Sequence, residues 1–516
     1  MPAISILNDV LGPVMRGPSS SHTAGSYRIG RLAAALLGEP VRRARFVFDP
    51  AGSYSQVYRE QGVDLALAAA LLDWELTVER FNDALNAART EGIDLTFAVE
   101  PLAEADHPNT IDIALAGVAG GSLSARARST GGGSISLDRL GGWPVALDGT
   151  AGELLIETEV AGIEVLADIL SRQPGCREPL RRQQAGSLCL LHVRLDDRPE
   201  DAATSLLQTC PGVRRIWSAS PLYPVIRGEP MFRSAADMCR LADDRGMSVG
   251  RLALASEARL LGWSEAKTQA EMSARLKVMR AAVRDGLARD THPMRLLESS
   301  AGAVYRADAA GRLFAGGLPA RAAARALAAM HVTSGGGVVC AAPTGGSAGV
   351  LPAVAVTLAE ELGQSDDAVV RALFAAGAVG AILAERATFA AEVAGCQVEI
   401  GAAGAMAAAA VVEAAGGSAR QAADAAAVAF QNTMGSVCDL VQGMVEIPCH
   451  TRNAAAAASA FVMADLVMGG YANPVPLDET IDAVYATGRM LPPELRCTAR
   501  GGLAATPSAR SLPRRR

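Results

Sequence analysis

The feature that most restricts how this chain can fold is the small-residue, helical character of everything after about residue 231. Apolar positions recur at helical spacing over 231–245, 264–288 and 318–330, and later stretches such as 401–415 are built almost wholly of Ala and Gly. Helices without bulky side chains approach one another closely, so an all-α bundle is predicted over 229–516. Its apolar runs are broken by Gly, Pro or charge within a bilayer's width, which argues for buried helices rather than membrane spans. With 516 residues, half of them hydrophobic, the chain can fill two or three cores.

The first part reads differently. Residues 1–150 mix Gly-rich loops, short apolar strands (46–48, 95–99, 111–115) and a helical run at 63–74, which predicts an α+β domain. From 151 to 228 the pattern is strand 153–158, helix 161–172, strand 187–195, helix 199–209 and strand 213–224, the order of a small ferredoxin-like, regulatory-type module. Gly228-Glu-Pro230 marks a boundary before the helical part. The expected fold class is therefore multidomain: α+β, then a ferredoxin-like module, then an all-α domain.

A formal charge of −6 and 4% aromatic residues leave no basic field for a polyanion, so nucleic acid is excluded as an expected partner. The N-terminus has neither a positive region nor a long apolar run, and a cytoplasmic location is expected. Nine cysteines in such a chain are not a disulfide framework; each is a buried small hydrophobe, a ligand or a nucleophile. Four of them, Cys340, Cys396, Cys438 and Cys449, fall near Gly or Pro between apolar helices, where thiolates can converge on a metal. Their spacing matches neither a zinc ribbon nor a two-cluster ferredoxin, so by spacing alone they read as buried thiols before they read as ligands.

Two loops add to these. Gly17-Pro-Ser-Ser-Ser-His-Thr-Ala-Gly25 places three serines, a threonine and His22 before a helix starting near Tyr27, more hydroxyls than a helix cap requires and a suitable seat for a carboxylate. Ala342-Pro-Thr-Gly-Gly-Ser-Ala-Gly349 is a second glycine–hydroxyl loop able to present N–H groups to an anion, or simply a glycine-rich turn. The chain has two lysines, Lys267 and Lys277, both on the polar-looking helix 264–288, which disfavours pyridoxal chemistry.

Taken together, these segments resemble the bacterial iron-sulfur-dependent L-serine dehydratases over nearly the whole chain. The 17–25 loop and His107-Pro-Asn-Thr110 are similar to motifs of that family's β part. The α part is matched by 340–349, Gly395-Cys-Gln-Val-Glu-Ile-Gly401, Cys438-Asp439, Val445-Glu-Ile-Pro-Cys449, Arg452-Asn-Ala454 and Gly501-Gly-Leu-Ala-Ala-Thr-Pro507. The resemblance implies a β-type domain at 1–150, an ACT-like module at 151–228 and an iron-sulfur catalytic domain at 229–516. It further implies a [4Fe-4S] cluster on Cys396, Cys438 and Cys449, an open iron that binds a small hydroxy amino acid, and Cys340 as pocket lining. Ser19, Ser21, Thr23, Thr344, Gly345, Ser347 and Asn453 are then the expected substrate-binding residues, His22 and His107 the expected proton-transfer groups, and a homodimer the expected assembly.

The chain departs from the family inside its motifs. Glu60-Gln61-Gly62-Val63-Asp64 stands where relatives read Gly-His-Gly-Thr-Asp, Leu440 and Gln442 follow Cys438-Asp439 in place of Pro and Ala, and Cys497 replaces a glutamate. Gln61 cannot accept a proton at neutral pH. Three readings follow: an L-serine ammonia-lyase, a paralogue acting on another β-hydroxy amino acid, or a silent amino-acid-sensing or structural iron-sulfur protein.

Overall fold

A computed structural model describes residues 3–160, 163–199, 201–288 and 293–515. In strand Ser122–Gly131 every second residue (Leu123, Ala125, Ala127, Ser129 and Gly131) is buried. That alternation pins its register in a six-stranded sheet ordered Asp94–Val99, Val41–Phe48, Thr110–Gly117, Ser122–Gly131, Ser134–Leu140, Trp143–Leu147. Only the first pair is parallel. Ile29, Leu32 and Leu36 of helix Gly25–Leu37 pack with Phe46, Phe48, Ile111 and Ile113 of the sheet. Strands Ser122–Gly131, Ser134–Leu140 and Trp143–Leu147, not among the expected strands, extend the sheet as an antiparallel meander. Gly132, Gly133, Gly141 and Gly142 all have positive φ at the turns, and in Ser122–Gly131 the inward residues after Leu123 are too small to stand out as an apolar run.

Next come strand Gly152–Glu159, helix Ile163–Ser171, strands Arg181–Ala185 and Leu188–Leu195, helix Asp201–Gln208 and strand Val213–Ala219. They form a four-stranded antiparallel sheet ordered Val213–Ala219, Gly152–Glu159, Leu188–Leu195, Arg181–Ala185. The expected strand 213–224 stops at Ala219, because Pro221 and Pro224 cannot donate to a ladder. The edge strand Arg181–Ala185 escaped the sequence reading because both of its faces are polar and open to solvent. Residues 161, 162 and 200, within the two expected helices, lie outside the described residues.

The third part is helical. Helix Ile400–Ala414 is buried from Ile400 to Val412 and lies among helices Asp366–Arg386, Ala419–Gln431 and Cys449–Met468. Two segments, Asp366–Arg386 and Cys396–Ala414, have the length and hydropathy of membrane spans, but 72% and 89% of those windows are buried inside the protein. Small residues permit this packing. A Cβ on Gly286 would lie 2.0 Å from the Ala328 carbonyl oxygen of the neighbouring helix, so Gly286 is a point of backbone-to-backbone contact. Lys267 and Lys277 are both exposed on helix Glu265–Ala288, and Lys267 lies over the Trp263 ring.

The N-terminal arm ties the first part to the third. The buried Glu257 carboxylate accepts the Ile6 and Leu7 amides at 2.9 and 3.0 Å. Val14 and Met15 then pair antiparallel with Cys340 and Val339. This short ladder delivers the 17–25 and 342–349 loops, more than 300 residues apart in sequence, to the same place. Gly345 N–H donates to Ser20 Oγ at 3.2 Å, and a Cβ on Gly345 would meet the Ser20 amide nitrogen at 2.9 Å.

Candidate metal centre

Cys396, Cys438 and Cys449 come from three different local structures. Cys396 opens a single turn after Gly395, whose φ of 78° and close approach to the Ser436 carbonyl exclude a side chain. Cys438 lies in a two-residue strand parallel to Arg496–Thr498. Cys449 is the first residue of helix Cys449–Met468. Groups other than the thiols hold each segment. Gln397 donates to the Ala394 carbonyl at 2.8 Å and accepts from Gly435 N at 2.9 Å. Asp439 accepts from Arg452 Nη2 at 3.0 Å and from Leu503 N at 2.8 Å, while Arg452 Nη1 donates to the Val437 carbonyl at 2.7 Å. The thiols are thus positioned by a scaffold that does not require a disulfide, and all nine cysteines are free.

One cavity receives all three thiols. It is lined by Pro18, Ser19, Gln61, Gly346, Glu392, Cys396, Glu399, Ile400, Cys438, Leu440, Val445, Cys449 and Cys497. Ligand atoms of Cys396, Glu399 and Cys438 lie within 4.8 Å of one another, as do those of His22, Glu392 and Cys497. The hydrogen bond with Cys438 lowers the Cys396 thiol to about 7, and burial drives Cys449 well above the ordinary thiol range. Burial, with the nearby Cys396 and Glu392 charges, raises the Glu399 carboxyl. Convergent soft donors beside a half-buried cation, Arg452, suit a metal that binds thiolate.

The expected binding residues divide into those at the cavity and those behind it. Ser19 lines the cavity. His22 sits just behind, fully buried, with Nδ1 3.1 Å from Ser19 Oγ and 3.3 Å from Glu392 Oε1, and Nε2 3.1 Å from Ser53 Oγ. Burial lowers its pKa to about 3, so the imidazole is neutral. Ser21 is buried with its carbonyl accepting from the Tyr54 hydroxyl at 3.3 Å. Thr23 donates to the Gln61 carbonyl at 2.8 Å, fixing the Gln61 loop.

In the second loop Gly346 reaches the cavity, whereas Thr344 and Ser347 bond to each other's main chain at 3.2 Å as a capping box. Asn453, expected to bind substrate, does not line the cavity. Its Oδ1 accepts from Gly349 N at 3.1 Å, and its Nδ2 donates to the Gly346 and Cys449 carbonyls at 2.8 and 2.9 Å. The side chain is therefore spent on joining the 345–349 loop to the start of the Cys449 helix.

His107, expected to transfer protons, is likewise set back from the cavity. Its Nδ1 accepts from Asn109 N at 3.1 Å, and burial lowers it to about 4. The residue of that motif that reaches inward is Asn109, whose Nδ2 donates to Glu392 Oε1 at 3.1 Å. Cys340, expected as lining, is instead packed in the helical core, where burial raises its thiol to about 11.

Glu392, Glu399, Ser53, Asn109 and Arg452 received no role from the sequence. Glu399, Asn109 and Arg452 lie inside motifs already noted, and attention to charged or amide residues in those motifs would have found them. Glu392, in Phe389-Ala-Ala-Glu-Val-Ala394, is marked only as an isolated carboxylate in an apolar stretch.

Residues 244–504 match the family described as serine dehydratase alpha chain. Over 282 residues the chain is 38% identical to the probable L-serine dehydratase alpha chain of Bacillus subtilis, spanning 55% of this chain and 94% of that protein. It is also 34% identical over 213 residues to the probable L-serine dehydratase beta chain of the same organism, spanning 40% of this chain and 94% of the relative. A third relative, the L-serine dehydratase TdcG of Escherichia coli, is 33% identical over 284 residues, which is 53% of this chain and 61% of that protein.

Proposed function

The chain belongs to the serine dehydratase family, with its β-type and α-type parts joined in one polypeptide, and from that premise we propose that it eliminates water from L-serine at a [4Fe-4S] cluster held by Cys396, Cys438 and Cys449. The products are 2-aminoacrylate and water; the imine tautomer of 2-aminoacrylate then hydrolyses to pyruvate and ammonia. The observation that carries the reading is the arrival of three thiols, distant in sequence and separately scaffolded, at one cavity with the hydroxyl loop of the β-type part. The donor set fits the cluster: soft thiolates from three loops, with no fourth cysteine demanded by the family pattern. When bound, such a cluster with one open iron supplies Lewis acidity toward the substrate's β-hydroxyl.

The chain's own residues supply orientation and proton handling. Ser19 Oγ and the Gly346 main chain border the cavity and suit the substrate carboxylate. His22, neutral and bonded to Ser19, suits proton shuttling between the cavity and the Glu392 carboxyl. Direct contact of the 17–25 loop with the 344–349 loop helps to wall off the reacting centre.

The order βαββαβ, with the Gly152–Glu159 and Leu188–Leu195 strands central, supports reading 151–228 as a ferredoxin-like (ACT-like) module between a β-type domain at 1–150 and a catalytic domain at 229–516. Exposed Val462 and Leu466, one turn apart on helix Cys449–Met468, support a homodimer.

Gln61 favours one second reading, a paralogue for another β-hydroxy amino acid, because it brings an uncharged amide to the cavity where relatives carry histidine. Anaerobic purification followed by L-serine addition separates the two. Pyruvate formation is expected; an intact cluster without pyruvate rejects serine as substrate and leaves the paralogue, and a protein that takes up no iron on reconstitution rejects both.

A further inference from the structure

Four side chains at the cavity carry acceptor oxygens, Ser19, Gln61, Glu392 and Glu399, and two of those oxygens are buried without a hydrogen-bond partner. Glu392 is fully buried; its Oε1 receives Asn109 Nδ2 at 3.1 Å, while Oε2 has no hydrogen-bond partner. Ser21 Oγ, itself without another partner, lies beside that carboxyl and holds its pKa down against burial. Gln61, which lines the cavity, turns Nε2 toward Cys497 Sγ at 3.8 Å and leaves Oε1 buried and unpaired. Glu399 adds a second carboxylate to the lining. No Lys, Arg or His is among the described residues lining this cavity. Orphaned buried acceptors are costly, and a native fold that keeps two at one cavity keeps them for a donor that arrives. A wall with two carboxyls, an unpaired amide oxygen and no cationic side chain is complementary to a group that has several N–H donors, a positive charge and no lone pair.

Building on the proposed function, we infer that Glu392 and Gln61 bind the α-ammonium group of the substrate, with Glu392 Oε2 and Gln61 Oε1 each accepting one of its N–H donors. The site is thereby a reader of 2-amino acids and rejects 2-hydroxy acids of the same shape. A hydroxyl at C2 brings one donor and no charge, so it leaves at least one of the two oxygens, and the carboxylate's charge, uncompensated. The departure at position 61 acquires a role on this view. An amide oxygen is a permanent acceptor, whereas an imidazole would have to spend its lone pair on either the ammonium or a proton. Thr23 and Cys497 set its direction, by holding the Gln61 carbonyl and the amide nitrogen respectively.

The test compares L-alanine with L-lactate, which share carboxylate and methyl, differ only at C2 and carry no leaving hydroxyl. Each is titrated calorimetrically into the anaerobic, cluster-loaded full chain. Alanine is expected to bind at least tenfold more tightly than lactate. Glu392→Gln keeps the shape and removes the charge, and is expected to lower alanine affinity by about ten- to hundredfold, the worth of a charge-assisted hydrogen bond, with lactate unchanged. Gln61→Met, which removes the acceptor, lowers the alanine-to-lactate ratio in the same direction and serves if Glu392→Gln does not fold or load iron. Equal affinity for the two ligands in the wild type, or an unchanged ratio in the variants, overturns the inference. If the wild type forms pyruvate from L-serine while either of those results holds, the inference alone has failed; if it loads iron but neither forms pyruvate nor binds alanine, the functional reading has failed with it.

Discussion

Replacing Asn453 with Ala separates positioning from substrate binding. The amide makes three hydrogen bonds, at 3.1 Å from Gly349 N and at 2.8 and 2.9 Å to the Gly346 and Cys449 carbonyls, and the residue is fully buried. Its loss strands the Gly349 N–H, at about 1–3 kcal/mol, and forfeits two further bonds worth about 1 kcal/mol each in net terms. A total of about 3–5 kcal/mol follows, which in a domain of this size corresponds to a fall in Tm of about 5–10 °C. The same change frees the loop carrying Gly346 from the helix that begins at Cys449, so iron retention should fall along with stability. Differential scanning calorimetry of the reconstituted protein, with iron counted before and after gel filtration, measures both. A variant with unchanged Tm and iron content but a raised KM would refute the positioning role and make Asn453 a substrate contact.

Three further outcomes are expected. Gly345→Ala drives a methyl group into the Ser20 amide and the Pro18 carbonyl, at 2.9 and 3.1 Å, so activity should collapse while far-UV circular dichroism stays that of the wild type; full activity would show that the two loops need not touch. Cys340→Ala should leave iron content unchanged, because this thiol lies in the helical core rather than at the cavity, and loss of iron would contradict that placement. His22 titrates near 3 in the fold against about 6.5 in the unfolded chain. The unfolded state therefore takes up the proton first, and stability present above about pH 6.5 is lost as pH falls toward 3. By linkage this amounts to at most about 2 kcal/mol between pH 7 and pH 5. Raised carboxyls such as Glu392 act in the opposite sense, so the readout is the comparison with His22→Gln: the variant should lose less stability over that interval, and parallel denaturation profiles would place the charge change elsewhere.

The helical part was legible because its period and its small residues act together: helices such as Glu265–Ala288 and Gly317–Ser334 fall where the spacing put them. The strand Ser122–Gly131 was not, because Ser, Ala and Arg alternate through most of it without an apolar signature, and only the sheet shows which face is inward. The cavity was legible as motifs. What the motifs do not carry is direction. Ser19 and Asn453 look alike as polar residues in glycine-rich or small-residue contexts, yet one faces the cavity and the other is consumed by main-chain bonds. His107 was similarly a marker of its motif, while the neighbouring Asn109 reaches Glu392. Glu392 lies in no motif, and burial is what gives it significance.

The central claim, that Cys396, Cys438 and Cys449 are cluster ligands, is tested most directly by iron and acid-labile sulfide analysis of the anaerobically reconstituted protein beside its Cys396→Ala, Cys438→Ala and Cys449→Ala variants. The expected result is about four irons and about four sulfides per chain in the wild type, with each variant unable to retain them through gel filtration. Retention of the full complement by any one of the three variants would remove that cysteine from the site, and a wild type that holds no iron would contradict the metal centre altogether.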